Sequence, residues 1–210
     1  MLNEFIFIKH AKKFVAPHKV RPILQGIHYR EDGSVVCTNA MVLVHVSNIH
    51  DRKQEIVINP KNGEKIAGDY PNVDNLIEGW QENYDKKISI DNENLARLLK
   101  MLAFMKKGTS TRSNCIALEF DCANNVIRIS EDFTSDWKYS LKIEIEFNGE
   151  LSLESNSYYL NAGYLHDVLA LLATESPCPI DIHLSEANQL QPMLFYAGAT
   201  MALITPVKKY

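Results

Sequence analysis

The chain of 210 residues is 46% hydrophobic and 23% charged, with a formal net charge of −4 at pH 7. This composition is typical of a globular protein that forms its core without disulfide or metal staples, as one large domain or two small ones. No stretch approaches the roughly 20 apolar residues of a membrane-spanning helix. The N-terminal MLNEFIFIKHAKKF lacks the basic region and long apolar run of a signal peptide, so we expect a cytoplasmic protein.

The four cysteines further constrain the chemistry. Cys37, Cys115, Cys122 and Cys178 show neither paired spacing nor the spacing of zinc ligands. Cysteines of cytoplasmic proteins are usually reduced. We therefore expect buried, free thiols, with neither disulfide bonds nor a bound metal.

The first residues predict a basic helix. Its apolar positions recur at helical spacing, and Pro17 ends the pattern. They are Phe7, Ile8, Ala11, Phe14 and Val15. The spacing i, i+3, i+4 places Lys9, Lys12 and Lys13 together on the exposed side of this helix, and residues 5–29 contain no acid. Such a face is either merely solvated or binds an anionic partner.

Short strands follow this helix, at residues 23–29, 35–39, 41–46 and 54–58. Asp32-Gly33, between the first two, is a typical hairpin turn. Residues 69–85 show no clear periodicity and are predicted to be a linker. We therefore divide the chain into one domain over residues 1–80, which includes most of this linker, and a second over residues 81–210.

The second domain begins with a strand at 86–90 and a long helix. Asp91 is placed to cap this helix, which is predicted to reach Lys107 and to end at Gly108. Its buried stripe consists of Leu95, Leu98, Leu99 and Leu102. Its other side carries the bases Arg97, Lys100, Lys106 and Lys107, with Arg112 just beyond. Further strands are predicted at 115–121, 126–130 and 137–147, the last with one wet face.

The C-terminal fifty residues predict another helix and three strands. Asn161 is a typical N-cap, and apolar residues from Tyr164 to Leu172 recur at helical spacing. Ser176-Pro177 ends the helix. Strands are predicted at 180–184, 192–196 and 200–205.

The two halves share a unit of basic amphipathic helix, connector, strand, tight turn and strand. The corresponding stretches are GIHYREDGSVVCTN (26–39) and IALEFDCANNVIRIS (116–130). We predict an α+β fold of repeated domains, in which amphipathic helices pack on antiparallel sheets.

The order and spacing of these parts resemble those of the bacterial sliding clamp family, the beta subunit of DNA polymerase III. The C-terminal domain of that family opens a helix with Asn-x-x-Tyr, here Asn161 to Tyr164, and ends in Pro-Met-Arg-Leu, here Pro206-Val207-Lys208. The first half is similar to the family's middle domain at residues 21–29, 36–44, 56–60 and 69–73. It has nine residues between Pro60 and Tyr70, where the family has a helix and several strands, so it resembles half a clamp domain.

The resemblance implies a DNA-clamp-like fold and non-specific binding of double-stranded DNA through Lys and Arg contacts with phosphates. The expected DNA-facing residues are the bases on and beside the two basic helices. They are Lys9, Lys12, Lys13, Lys19, Arg21, Arg97, Lys100, Lys106, Lys107 and Arg112.

The resemblance also implies a pocket between the two domains for a short apolar peptide of a replication or repair protein. The residues that match this pocket are mostly apolar. They are Leu24, Thr38, Leu43, Pro71, Leu76, Asn161, Tyr164, Leu190, Pro192, Leu203, Ile204, Pro206 and Val207. Each has a simpler reading as a core or domain-interface residue.

Further partners are implied: a clamp loader, and copies of the chain in a ring whose contacting edges would be strands 41–46 and 126–130. The alternative is a clamp-derived adaptor or decoy that binds replication or repair proteins without encircling DNA. The acidic pairs Asp69/Asp74 and Asp132/Asp136 lie in polar, loop-like runs. We therefore expect no enzymatic activity, no cofactor and no metal.

Overall fold

The computed structural model describes residues 2–17, 21–78, 84–108, 114–131, 142–149, 157–185 and 188–208. The α-helices are α1 (Glu4–Ala11), α2 (Asp74–Glu78), α3 (Asn92–Gly108) and α4 (Ala162–Leu172). Short 3-10 helices lie at Pro22–Gln25 and Ala173–Glu175. None of the helices in these ranges is both long and apolar enough to cross a membrane.

Twelve strands are seen in the described part of the chain. Those of the first half are β1 (Ile27–Tyr29), β2 (Val35–Thr38), β3 (Val42–Val46) and β4 (Ile56–Ile58). Those of the middle are β5 (Lys86–Ile90), β6 (Cys115–Asp121), β7 (Val126–Glu131) and β8 (Lys142–Glu146). Those of the C-terminal part are β9 (Ser157–Asn161), β10 (Ile180–Leu184), β11 (Met193–Ala197) and β12 (Thr200–Ile204).

The strands form an eight-stranded sheet in the order β4-β1-β2-β3-β12-β11-β10-β5 and a four-stranded sheet in the order β8-β7-β6-β9. All neighbouring pairs are antiparallel. The α+β architecture of helices and antiparallel sheets predicted from the sequence is therefore confirmed.

One unit, a helix followed by three strands, occurs three times. The copies are α1 with β1–β3, α3 with β6–β8, and α4 with β10–β12. In each copy a fourth strand from elsewhere in the chain pairs with the first strand: β4, β9 and β5, respectively. The sequence indicated two copies. The third copy lacks this signal, because its first two strands, β10 and β11, are separated by the eight residues 185–192, without an Asp-Gly or Asn-Asn turn.

The two halves of the chain are joined by the third strands of two units. β3 pairs with β12 over five residues, from Val42 opposite Ile204 to Val46 opposite Thr200. The expectation that strands 41–46 and 126–130 form the free edges of a subunit is wrong. β3 lies between β2 and β12, and β7 lies between β6 and β8, so neither strand is an edge.

The main apolar core takes side chains from α1, α3, α4 and both sheets. Phe7 of α1, Leu98 of α3, Leu169 of α4 and Phe195 of β11 are all buried in it. Burial of each such side chain contributes roughly 1.5–3 kcal/mol. The helices are therefore held with their polar sides away from this core.

Several local predictions are confirmed by hydrogen bonds. Asp91 accepts a bond from the backbone N–H of Asn94 at 2.8 Å, and Asn161 accepts one from that of Tyr164 at 3.1 Å. Both are side-chain caps that satisfy free N–H groups at a helix start. In the first hairpin, Gly33 has φ +83°, and Asp32 accepts from the backbone N–H of Ser34 at 2.8 Å.

The start of the first half differs from the prediction. The strand expected at 23–29 begins only at Ile27, because Pro22 opens a 3-10 helix in which its fixed φ is favourable. Helix α1 ends at Ala11, since the N–H groups of Lys13 and Phe14 bond three residues back, to His10 and Ala11. Phe14 is nonetheless buried, which explains why the apolar pattern continued beyond the helix.

The described residues of the segment predicted as a linker, 69–78 and 84–85, include Tyr70, Val73, Ile77 and Tyr84, which pack in a second apolar cluster on the outer face of the eight-stranded sheet. They contain α2, and the same cluster includes Leu43 and Leu203. The boundary at residue 80 stays a prediction, because residues 79–83 lie outside the described ranges. The same holds for residues 137–141 of the predicted long strand, of which β8 covers Lys142–Glu146.

Candidate DNA-facing helices and peptide groove

Helices α1, α3 and α4 meet at the carboxylate of Asp167. The Nζ atoms of Lys13, just after α1, and Lys106 of α3 each lie 2.9 Å from Asp167 Oδ1. His166 Nδ1 is 3.0 Å from the same oxygen. The Asp167 side chain is only 12% exposed, so these ion pairs bind the first half of the chain to the second across α4.

The pKa of Asp167 reflects this junction. Burial alone would raise the pKa of the carboxyl, because it disfavours the charged form. The hydrogen bonds from His166, Lys106 and Lys13 outweigh the burial and hold the pKa below its ordinary value. Asp167 is therefore ionised at neutral pH and neutralises part of the basic surface around it.

The bases predicted to face DNA lie in different surroundings: some are exposed, and others bond to Asp167. Lys9 of α1, Lys12 just after α1, and Arg97 and Lys100 of α3 are exposed. Lys13 and Lys106 bond to Asp167. The expectation that Lys9, Lys12 and Lys13 share one helix face is wrong, because only Lys9 lies within α1.

The remaining basic candidates are placed as follows. Arg21 is exposed and lines the groove described below. Lys107 lies in α3, but its side chain is not described. Lys19 and Arg112 lie outside the described residues.

Each basic helix also carries an exposed aromatic side chain. The Lys9 Nζ atom lies 4.2 Å from the ring centroid of Phe5, which is 67% exposed. Phe104 of α3 is 64% exposed and lies on the same helix side as Arg97 and Lys100. The cation–π contact at Phe5 is worth about 0.5–1 kcal/mol at an exposed site and keeps Lys9 over the ring.

A groove of about 280 Å³ lies where the two halves join, on the outer face of the sheet. Leu43 and Leu203 form its floor, and Met41, Val73 and Leu76 form part of its walls. Seven of the thirteen residues predicted for a peptide pocket line it. They are Leu24, Thr38, Leu43, Pro71, Leu76, Pro192 and Leu203.

A tight turn between β2 and β3 shapes one wall of the groove. Asn39 Oδ1 accepts from the backbone N–H groups of Met41 and Val42, both at 2.9 Å, and Ala40 adopts φ +75°. Thr38 Oγ1 donates to the carbonyl oxygen of Val42 at 2.7 Å. This turn leaves Met41 52% exposed at the groove, where an apolar ligand would cover it.

The other six predicted pocket residues do not line this groove. Ile204 is buried in the main core, because alternate residues of β12 point to opposite faces and Leu203 takes the groove side. Asn161 caps α4, and Tyr164 packs against the core. Leu190 is exposed elsewhere, and Val207 donates its N–H to the carbonyl of Tyr159. Pro206, between Thr205 and Val207, is also outside the lining.

Sequence reasoning missed several lining residues. They are Arg21, Ala40, Met41, Val42, Asn72, Val73 and Thr205. Met41 and Val42 lie in the stretch 36–44 that resembles the clamp family, but the resemblance did not assign them to the pocket. Thr205 contacts Met41 directly, since its backbone N–H and its Oγ1 donate to the Met41 carbonyl at 2.9 and 3.0 Å.

A larger cleft, of about 980 Å³, lies along β4. Its lining includes the charged side chains of Lys53, Glu55, Lys65 and Asp69. Such a lining suits an apolar peptide poorly, because charged groups would lose water without gaining partners. The smaller groove is therefore the better candidate for the peptide site.

The cysteines and acids of the described residues form no metal centre, since no group of three or more His, Cys, Asp or Glu side chains is placed to hold an ion. The four cysteines are free thiols. Burial raises the pKa of the Cys37 thiol, which keeps it protonated. Cys178 is exposed, contrary to the expectation that all four are buried, because it lies in the turn after α4.

The repeated units and the joined eight-stranded sheet define the fold of bacterial sliding clamps. The DNA polymerase sliding clamp from Pseudomonas aeruginosa matches with a TM-score of 0.75 at 13% identity, over 97% of this chain and 65% of that one. The clamp from Bacillus subtilis gives 0.73 at 18%, over 97% and 63%. The C. crescentus beta sliding clamp gives 0.77 at 14%, over 99% and 64%.

These comparisons confirm, at the level of the fold, the resemblance seen in the sequence. The chain spans just under two thirds of the length of these clamps. No protein-family model and no curated protein sequence matches it.

Proposed function

We propose that this protein is a sliding-clamp-like processivity factor, which holds double-stranded DNA non-specifically and is not an enzyme. The observation that carries the proposal is the common attachment of α1 and α3 to α4 at Asp167, which brings two basic helices onto one surface. The exposed bases of this surface, Lys9, Lys12, Arg97 and Lys100, suit phosphates. Lys19, Lys107 and Arg112 belong to the same proposed set.

The charge distribution supports this proposal. The whole chain is acidic, yet these helices expose bases on their outer sides. Such a distribution attracts DNA to one surface while the rest of the protein repels it. Contacts with phosphates alone carry no sequence information, as a protein that moves along DNA requires.

The groove around Leu43 and Leu203 is the proposed site for partner peptides. Its lining is mostly apolar, and the exposed side chains of Met41 and Leu76 lie along its opening. An extended apolar peptide would therefore pack both into the groove and against these two side chains. The partners would be replication or repair proteins, and a clamp loader would use the same kind of contact. The cytoplasm, which contains these partners in bacteria, is the expected compartment.

A clamp-derived adaptor is the second candidate. It is favoured by the ion pairs of Lys13 and Lys106 with Asp167, which withdraw two of the predicted DNA contacts. Helix α4 itself contributes no Lys or Arg to the surface. Such a protein would bind partner peptides in the groove without holding DNA.

Two titrations separate these functions. In the first, fluorescent duplex DNA is titrated with the protein at several salt concentrations. In the second, the probe is a labelled peptide that carries the clamp-binding segment of a bacterial DNA polymerase. The clamp function predicts that both probes bind, and that log K for DNA falls with log salt by about 0.9 per phosphate neutralised.

Peptide binding without DNA binding would support the adaptor. Weak DNA binding that does not change with salt would contradict the clamp function, because phosphate contacts release counterions. Failure of both probes would contradict both functions.

A further inference from the structure

The two basic helices expose aromatic rings that contacts with phosphates do not explain. Five large hydrophobic side chains are exposed in the part of the chain that the structure describes, and two of them, Phe5 and Phe104, are aromatic. One lies on α1 and the other on α3, and they are 67% and 64% exposed. A phenyl ring in water keeps its apolar area hydrated, which is unfavourable. One such ring on each basic helix therefore points to a ligand with flat apolar faces.

Each ring has positively charged neighbours on its own helix. Lys100 and Arg97 precede Phe104 by four and seven residues, so the three side chains lie along one side of α3. Lys9 follows Phe5 by four residues, and its Nζ atom lies 4.2 Å from the centroid of the Phe5 ring. A ligand stacked on either ring would therefore meet positive charge close by, as a nucleotide with its phosphate requires.

Two acids near the rings do not cancel this charge. Glu4, next to Phe5, is paired with Arg52 at 2.8 Å. Glu93 is exposed on the same side of α3 as Phe104, but it precedes Phe104 by eleven residues, which is about 16 Å along a helix. The charge around both rings therefore favours an anionic ligand over an apolar protein surface.

Duplex DNA cannot use an exposed aromatic ring of this kind. Its nucleobases stack on one another, and its outer surface consists of phosphates and sugars, which contact Lys and Arg. In a single strand, each nucleobase has a free π face. Proteins that hold single strands combine positive side chains for the phosphates with aromatic side chains for stacking. Both residue types occur together on α1 and on α3.

We propose that Phe5 and Phe104 stack on nucleobases of single-stranded DNA, while Lys9, Arg97 and Lys100 contact its phosphates. On binding, the Lys9 ammonium group moves from the Phe5 ring to the phosphate of the stacked nucleotide. The protein thus holds unpaired as well as duplex DNA on the same helices, and only unpaired DNA uses the rings. This inference rests on the proposed function for the place where DNA binds, but its test depends on the rings alone.

Replacing the rings by leucine tests the stacking. Phe5→Leu and Phe104→Leu keep an apolar side chain that suits a helix but remove the π face. In anisotropy titrations with fluorescein-labelled oligothymidine, each variant should raise the dissociation constant at least about fivefold, and the double variant at least about twenty-fivefold. The affinity for a blunt-ended duplex should change by less than about twofold. Phe5→Tyr/Phe104→Tyr is the control, because it keeps both rings and should bind oligothymidine as the wild type does.

A tryptophan at residue 104 detects the stacking directly. Phe104→Trp adds emission to that of Trp80 and Trp137, the two tryptophans of the chain. Oligothymidine should quench this added emission, because a stacked nucleobase quenches an indole ring, whereas the blunt-ended duplex should not. Leu190→Trp is the matched control at an exposed position outside the basic helices, and its added emission should persist with either probe.

A loss of oligothymidine binding in the leucine variants but not in the tyrosine variant, together with quenching at residue 104, would support the proposal. It would be overturned by a wild-type protein that does not bind oligothymidine, or by leucine variants that bind it equally well. Equal weakening towards oligothymidine and duplex would also overturn it, because it would show that the substitutions disturb the helices. Binding of oligothymidine without binding of duplex would instead contradict the proposed function.

Discussion

Leu43 of β3 and Leu203 of β12 lie directly opposite each other in the strand pair that joins the two halves of the chain. Both are nearly buried, and both belong to the apolar cluster beneath the groove. The same pair of side chains therefore holds the halves together and forms the floor of the candidate peptide site. A ligand bound there would contact both halves at once.

A substitution at Met41 tests peptide binding in the groove and leaves Leu43 and Leu203 unchanged. It is about half exposed at the groove, so Met41→Asp should leave the free energy of unfolding nearly unchanged. Its charge would have to be desolvated under an apolar peptide, and we expect the peptide dissociation constant to rise at least about tenfold. Fluorescence anisotropy with the labelled polymerase peptide measures this change.

Leu190→Asp is the matched control for that experiment. Leu190 is similarly exposed and was also predicted to line the pocket, but it lies outside the groove. We expect unchanged peptide affinity for this variant. Equal weakening by both variants would place the peptide elsewhere.

The contrast between Leu203 and Ile204 shows what the sequence could predict about the site. Both are apolar residues of one predicted strand, and both match the clamp motif. Which of them faces the groove depends on which face of β12 is covered by α4 and which by the segment around Val73, and no local pattern reveals that. The groove residues that sequence reasoning found came from motif order, whereas Met41 and Thr205 depended on the path of the turn between β2 and β3.

The elements themselves were more predictable, because their signals are local. The caps at Asp91 and Asn161 and the turn at Asp32-Gly33 use short side-chain and glycine chemistry that the sequence displays. The shortness of α1 was not predictable, since Phe14 continues the apolar pattern although the helix has ended. The ion pairs of Asp167 connect residues far apart in the chain, and only tertiary structure brings them together.

Asp167 is expected to stabilise the junction of the helices at neutral pH. Asp167→Asn removes the charge that Lys13 and Lys106 share, and we expect the free energy of unfolding at pH 7 to fall by about 1–3 kcal/mol. Urea denaturation measures this loss. Asp51→Asn, at an exposed loop position, is the control and should have little effect.

The pH dependence of that loss has a definite sign. The folded pKa of Asp167 is lower than its ordinary value, so its stabilisation is complete above the unfolded pKa of about 4 and disappears as the pH falls through the folded pKa. The difference between wild type and Asp167→Asn should therefore be constant near neutrality and shrink below about pH 4. A difference that grows in acid would contradict the assigned ion pairs.

Substituting Gly33 and Gly63 by Ala compares the effect of an added Cβ atom at two glycines of similar backbone conformation. Both have positive φ, +83° and +77°. A Cβ atom on Gly33 would lie 2.8 Å from the carbonyl oxygen of His50, whereas one on Gly63 would meet nothing within 4 Å. Gly33→Ala should therefore lower the free energy of unfolding more than Gly63→Ala, by about 1–3 kcal/mol, in urea denaturation. Equal losses would show that the contact with His50 relaxes freely.

Thiol labelling distinguishes the exposed cysteine from the buried one. Cys178 should react rapidly with a thiol reagent in the folded protein, whereas Cys37 should react only when the protein unfolds. Cys178→Ser should remove the rapid phase and leave the slow one. A rapid phase that persists in this variant would contradict the burial of Cys37 or the partial burial of the other two cysteines.

DNA binding by paired charge reversals tests the clamp function most directly. Lys12→Glu/Lys100→Glu reverses one exposed base beside α1 and one on α3, while Lys53→Glu/Lys61→Glu reverses two exposed bases on the loops that flank β4. Both variants change the net charge equally, so non-specific repulsion affects them alike. If the helices hold duplex DNA, only the first variant should bind at least about tenfold more weakly and lower the salt slope by about 2. Equal weakening by the two variants, or none by the first, would contradict DNA holding by these helices.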